Sequence, residues 1–154
     1  MSDFAGDVLL IETLDGGDIV LESGLVKPCK DFSAAVYLSL FGGNKDDAGT
    51  VENRCTWWAN TLKKTPESEK MISRFQAVIT GLPLSVKNMR KAETAAMLDL
   101  EWLKSEGVAD EIIAEGKTKG KNTFMLKVEV KSKGQQLYQK EFALLWGGHG
   151  IDGV

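Results

Sequence analysis

The sequence predicts an α+β domain: an N-terminal β-hairpin, three helices, and a C-terminal antiparallel three-stranded sheet whose apolar face the helices cover. Three observations carry this expectation. Two strand-like runs flank Asp15-Gly16-Gly17-Asp18, where glycine takes positive φ at little cost and aspartate tolerates turn geometry. Apolar residues recur three or four apart in three windows between residues 32 and 106. Finally, Phe124, Leu126, Val128 and Val130 alternate with Met125, Lys127, Glu129 and Lys131, the period of a strand with one buried and one wet face.

Taken in order, the hairpin strands fall at residues 7–14 and 18–22, closed by Gly24 and Pro28. Asp31 is placed to cap a helix over 32–41, in which Phe32, Val36 and Leu40 share a face before Gly42-Gly43 ends it. Residues 44–62 are polar and glycine-punctuated, a long surface loop whose large anchors are Trp57 and Trp58. Thr65-Pro66-Glu67 supplies a capping hydroxyl, a proline at the first helical position and an acid in the first turn, which starts a second helix running to about Thr80. Gly81-Leu82-Pro83 breaks it.

Ser85 opens the longest helix, reaching about Glu106 through Val86, Met89, Ala92, Ala96, Leu100 and Leu103, with Gly107 as the terminating residue. Strands follow at 111–117, 122–131 and 136–146, joined by Lys/Gly turns. Residues 1–146 are thus read as one domain and the glycine-rich 147–154 as a flexible tail.

A chain of 154 residues can bury about 70% of the surface its unfolded form exposes, so it folds without staples. Cys29 and Cys55 form no CxxC pair, which gives little support to a zinc site or a disulfide framework and favours reduced thiols. No apolar run approaches the roughly 20 residues of a membrane span, and the first residues lack a basic leader, so synthesis in the cytoplasm is expected. The charge is uneven. Residues 1–52 carry ten acids and three bases, net −7, whereas residues 53–154 carry twelve acids and sixteen bases, net +4. Such polarity suits a subunit that meets oppositely charged neighbours.

Motifs for catalysis are weak. His149 sits in the glycine-rich tail with no partner pattern for a triad or metal site, and Gly42-Gly43 and Gly147-Gly148 lack the Lys-Ser/Thr or GxGxxG context of phosphate loops. Asp15-Gly16-Gly17-Asp18 lacks the ligand spacing of a calcium loop. Glu12 with Asp18, or Asp99 with Glu106, could be offered as glycosidase carboxylates, but 22 acids supply many such pairs. The helix, Gly81-Leu82-Pro83 turn and helix, with Lys87, Arg90 and Lys91 behind it, has the outline of a DNA reader, against which stands the acidic net charge. Neither cofactor nor small-molecule substrate is expected.

The order of the acidic hairpin, the Arg54-Cys55-Thr56-Trp57-Trp58-Ala59-Asn60 segment, and a long helix ending in Trp102-Leu103 and Glu106-Gly107-Val108-Ala109-Asp110 resembles the Mu-like phage baseplate family. These are wedge proteins of contractile tails, related to the lysozyme-like wedge proteins of other myophages and of type VI secretion baseplates. The resemblance spans residues 7–146 and carries no catalytic signature. It implies a non-enzymatic wedge subunit of the virion tail baseplate, assembled in the host cytoplasm with other wedge subunits, tail sheath and tube-proximal proteins, without nucleic acid or membrane as partner. Two classes stand as alternatives: a peptidoglycan-degrading tail lysozyme and a small phage DNA-binding regulator. Related wedge proteins offer a sheet edge for strand addition, which places the interface candidates at Lys127 and Lys131 on the wet face and at Tyr138, Phe142 and Trp146 spaced along one face. Of Trp57 and Trp58, one can seal the core while the other anchors an interface. The Glu-Pro-Arg tripeptide by which several relatives grip the wedge's core bundle is absent, so that contact is not carried over.

Overall fold

The computed structural model describes residues 7–13, 16–29, 32–42, 62, 64, 66 and 72–147. The 44–62 loop except Leu62, the Trp57-Trp58 pair, Cys55, the Asp31 cap, His149 and the tail after Gly147 lie outside the described residues. Six short strands open the fold: β1 (Asp7–Val8), β2 (Leu10–Thr13), β3 (Gly16–Ile19), β4 (Leu21–Glu22), β5 (Leu25–Val26) and β6 (Pro28–Cys29). Helices α1 (Ser33–Phe41), α2 (Arg74–Gly81) and α3 (Val86–Asp99) follow, then a single-turn helix α4 (Trp102–Ser105). Strands β7 (Glu111–Lys119), β8 (Thr123–Ser132) and β9 (Gln135–Leu145) form an antiparallel sheet in that order. The architecture is α+β, with an N-terminal hairpin and a C-terminal three-stranded sheet.

The N-terminal strands depart from the simple hairpin expected. β2 pairs with β3, β4 with β5, and β1 with β6, so each of three chain segments divides its pairing between the other two. A closed cycle of backbone bonds marks the junction: the Leu9 amide donates to the Lys27 carbonyl (2.9 Å), Lys27 to Val20 (2.8 Å) and Val20 to Leu9 (3.1 Å). The glycines expected in the turn are in the ladder instead, with Gly16 opposite Thr13 and Gly17 opposite Glu12. The reversal between β4 and β5 uses Ser23 (φ 53°) and Gly24 (φ 80°), the left-handed pair that matches strand twist.

The core lies between α1, α2 and α3 on one side and the inner face of the sheet on the other. Val36 and Leu40 of α1, Phe75 of α2 and Ala92 and Ala96 of α3 are sealed from solvent, as are Phe124, Leu126, Val128 and Val130 of β8. The alternation read from the sequence is therefore the burial pattern of β8. Its turn into β9 also follows the expected chemistry, with Lys133 (φ 51°) and Gly134 (φ 74°) both left-handed.

The helix boundaries show where local signals lose. Ser85 caps α3 as expected, its hydroxyl accepting from the Asn88 amide at 3.1 Å. α2, however, begins at Arg74 behind its cap Ser73, whose extended backbone interrupts any helix running on from Pro66; residues 65 and 67–71, on which the expected start falls, lie outside the described residues. The Ser73 hydroxyl donates to the Leu40 carbonyl of α1 and accepts from the Gln76 amide, while the buried Asp99 carboxylate accepts from the Arg74 amide (3.0 Å) and the Phe75 amide (2.8 Å). The Ser73–Gln76 bond is local, whereas the Leu40 and Asp99 partners come from other helices. Asp99 also ends α3, and the chain turns through Leu100 and Glu101 into α4 before Gly107 (φ 71°) closes it.

Burial pushes the Asp99 carboxyl above its ordinary range, opposed by the Phe75 and Arg74 amides and by the Arg74 guanidinium. The folded chain then binds more protons than the unfolded one between the ordinary and the raised value, so this contribution to stability falls as pH rises through that window. In urea titrations the stability of wild type relative to Asp99→Asn, which does not titrate, is expected to fall from about pH 4 to about pH 7. A relative stability that instead rises with pH would mean that the three donors outweigh burial.

Candidate functional site

The sheet has two outer strands, and the structure treats them differently. Along β7, α3 lies beside the edge. The Glu93 carboxylate of α3 accepts the outward-pointing amide of Gly116 at 2.7 Å and is held by the Arg90 guanidinium at 2.5 Å. This approach requires glycine. A Cβ at residue 116 would come within 2.5 Å of Phe124 Cε2 and 3.4 Å of Glu93 Oε1. A glycine inside a strand pattern signals close approach, and Gly116 is the sequence signal by which this contact could have been found.

β9 forms the opposite edge, paired along its length with β8, from Thr123↔Leu145 to Ser132↔Gln135 with one irregularity at Val130/Lys131. The Trp146 amide donates inward to the Asn122 carbonyl at 2.8 Å. Antiparallel alternation then turns the backbone N–H and C=O groups of Gln139, Glu141, Ala143 and Leu145 outward. Among the described residues no strand pairs with this side of β9 and no backbone hydrogen bond reaches those four residues. Such a row is a template for another strand. Lys140, which shares the inner face, sets its ammonium 4.9 Å from the Phe142 ring centroid and so places a charge beside the open edge. An inward charge of this kind discourages indiscriminate edge pairing.

Tyr138, Phe142 and Trp146 do share one face, but it is the inner one. Phe142 is opposite Leu126 and Tyr138 opposite Val130, and cross-strand partners project to the same side, so all three are buried with the core. Phe142 contacts Phe41 edge-on at 5.5 Å, and Trp146 contacts Phe124 at 5.1 Å. The expectation that these three side chains form an interface is thereby corrected: what β9 leaves open is backbone. Trp146 has a positional role, since its indole N–H donates to the Leu82 carbonyl (2.7 Å) and the following Gly147 amide donates to the Ile79 carbonyl (2.8 Å). Both acceptors belong to the C-terminal end of α2, where carbonyls lack partners within the helix.

Lys127 and Lys131 stand on the wet face as expected, with Glu129 between them. Its carboxylate pairs with Lys127 and, at 3.4 Å, with Lys131. The Lys127 hydrogen bond, aided by Lys131, holds the Glu129 carboxyl below its ordinary range, and the same bond raises Lys127. Lys131 also approaches Glu111 at 4.0 Å, and Lys117 meets Glu141 at 3.3 Å. These charges form a ladder across the outer face of the sheet.

Trp57 and Trp58 lie outside the described residues, and the side chains of Glu12 and Asp18 are likewise not described. Asp99, half of the other carboxylate pair considered, is sealed from solvent and occupied in capping α2. Among the described residues no group of three or more His, Cys, Asp or Glu side chains is placed to hold a metal, and no helix is long and apolar enough to cross a membrane. No known protein family, curated protein or solved structure matches the chain.

Proposed function

We propose that this chain is a non-enzymatic wedge subunit of a contractile phage tail baseplate, which holds its neighbours by strand addition at the open edge of β9. The observation that supports this reading most is the asymmetry of the sheet. The β7 edge is engaged by Glu93 of α3, whereas the 11-residue β9 presents outward backbone groups at Gln139, Glu141, Ala143 and Leu145. Main-chain pairing gives affinity with little demand on side chains, which suits a part whose role is geometric. The order of the acidic hairpin, the tryptophan doublet and the long helix supports the same reading. Its partners are other wedge subunits, tail sheath and tube-proximal proteins, and its place is the virion baseplate after assembly in the host cytoplasm.

Mass spectrometry of purified contractile tails tests this directly. The chain is expected in stoichiometric amounts beside sheath and tube proteins. Tails that lack it yet assemble and contract normally would overturn the reading, as would peptidoglycan cleavage by the purified chain in a zymogram.

A further inference from the structure

Independently of the tail reading, one end of the molecule collects cations that no acid among the described residues neutralises. Hydrogen bonds join its parts: Asn122 of the β7–β8 turn accepts from Trp146, whose indole donates to Leu82, and the Asn88 amide group of α3 donates to Pro83 at 2.8 Å. The first turns of α3 and the β7–β8 turn therefore share this end. They bring Lys87, Lys91, Lys119 and Lys121 to this end, all exposed and, among the described residues, none in an ion pair. The neighbouring acids are already engaged, Glu93 by Arg90 and Gly116, and Glu141 by Lys117. Among the lysines stand exposed apolar side chains, Val86 (68% exposed) and Leu145 (41%).

The N-terminal β-module has the opposite character. Residues 7–29 contain five acids, Asp7, Glu12, Asp15, Asp18 and Glu22, against the single base Lys27. Its β4–β5 hairpin exposes Leu21 (61%), Leu25 (73%) and Val26 (46%) beside Glu22. Among the described residues no ion pair joins this module to the cationic end; its one ion pair, Lys27 with Glu22, is internal.

We propose that the cationic end docks on the acidic β-module of a second copy of this chain, in a head-to-tail contact. The cationic end has exposed apolar side chains among its lysines, and the β4–β5 hairpin has them beside Glu22 in an acid-rich segment, so the two are opposite in charge and both carry apolar area, as partners in a specific interface do. A duplex phosphate backbone fits the lysines less well, because the chain is net −3 and its acid-rich module would be repelled. Since the two surfaces are different, the contact is heterologous, closing into a ring or extending into a filament.

Sedimentation of the full chain is expected to show a mass that rises with concentration at about 0.05 M NaCl and returns to the monomer at about 0.5 M, where screening acts within a few ångströms. Reversal of charge in Lys87→Glu/Lys119→Glu/Lys121→Glu is expected to weaken association by about tenfold or more. The decisive measurement is a mixture of that variant with Asp18→Lys/Glu22→Lys. Each keeps one native surface and one reversed one, so head-to-tail association is expected to reappear only when the two are combined, which a folding defect cannot imitate. A monomer at low salt, association unaltered in the triple variant, or a salt-sensitive shift with duplex DNA lost in that variant would each overturn the proposal.

Discussion

Gly116→Ala is expected to destabilise the fold by about 3 kcal/mol, the upper end for overpacking a close-packed interior. Residue 116 has no positive φ, so alanine meets no backbone strain there. The cost is one of space. The new methyl overlaps the ring of Phe124, which is fully sealed and packs against Phe75 and Trp146, so the ring has no free volume to enter. Displacing β7 to relieve the clash would stretch the Gly116 amide from Glu93 and leave a buried carboxylate short of a donor. For a chain of this size the loss corresponds to a fall in Tm of about 6–12 °C. Thermal melts of Gly116→Ala, Phe124→Leu and the double variant test the cause. The double variant is expected to be more stable than the sum of the two single losses predicts, because leucine vacates the space the methyl needs. Strict additivity would mean that the clash is relieved elsewhere.

Ala143→Pro is expected to leave the domain folded and to abolish the proposed strand addition at β9. Proline has no N–H, and on an edge strand it is tolerated only where that N–H faces away from the sheet. Residue 143 meets this condition: it is exposed, and its outward amide belongs to the open row. Proline at Leu144 is the contrasting case. Its N–H faces Phe124 of β8, so the substitution breaks a ladder bond inside the sheet and is expected to cost about 3 kcal/mol or more. The measurement pairs a melt with complementation of tail assembly. Ala143→Pro should melt near wild type yet fail to restore sheathed particles. If it melts normally and supports assembly, the proposed strand addition at β9 is overturned.

How the sequence speaks about this protein differs from element to element. The strand β8 is legible because its period is local: Phe124, Leu126, Val128 and Val130 are buried whatever partners they meet. The same holds for the cap of α3 at Ser85, which involves only Asn88, and for the Lys133-Gly134 turn. The start of α2 is only partly local: Ser73 and Gln76 have the spacing of a cap, but the Asp99 carboxylate that takes the Arg74 and Phe75 amides lies some 25 residues away in the chain. The N-terminal cycle of Leu9, Val20 and Lys27 is not legible, since three segments with similar alternation can share hydrogen bonds in more than one way.

For the site, residue types were readable and orientation was not. Tyr138, Phe142 and Trp146 were correctly placed on one face by their spacing of four, an even number in a strand. Which face that is depends on register with β8, and register is a tertiary fact. The amino-acid sequence alone determined the α+β class, the alternation of the sheet, the capping of α3 and the uneven charge of the two halves, because each arises from neighbours along the chain or from composition. Only the tertiary structure decided that Glu93 reaches Gly116 and that, among the described residues, no strand pairs with the outer side of β9, because a strand's edge is defined by what comes to lie beside it.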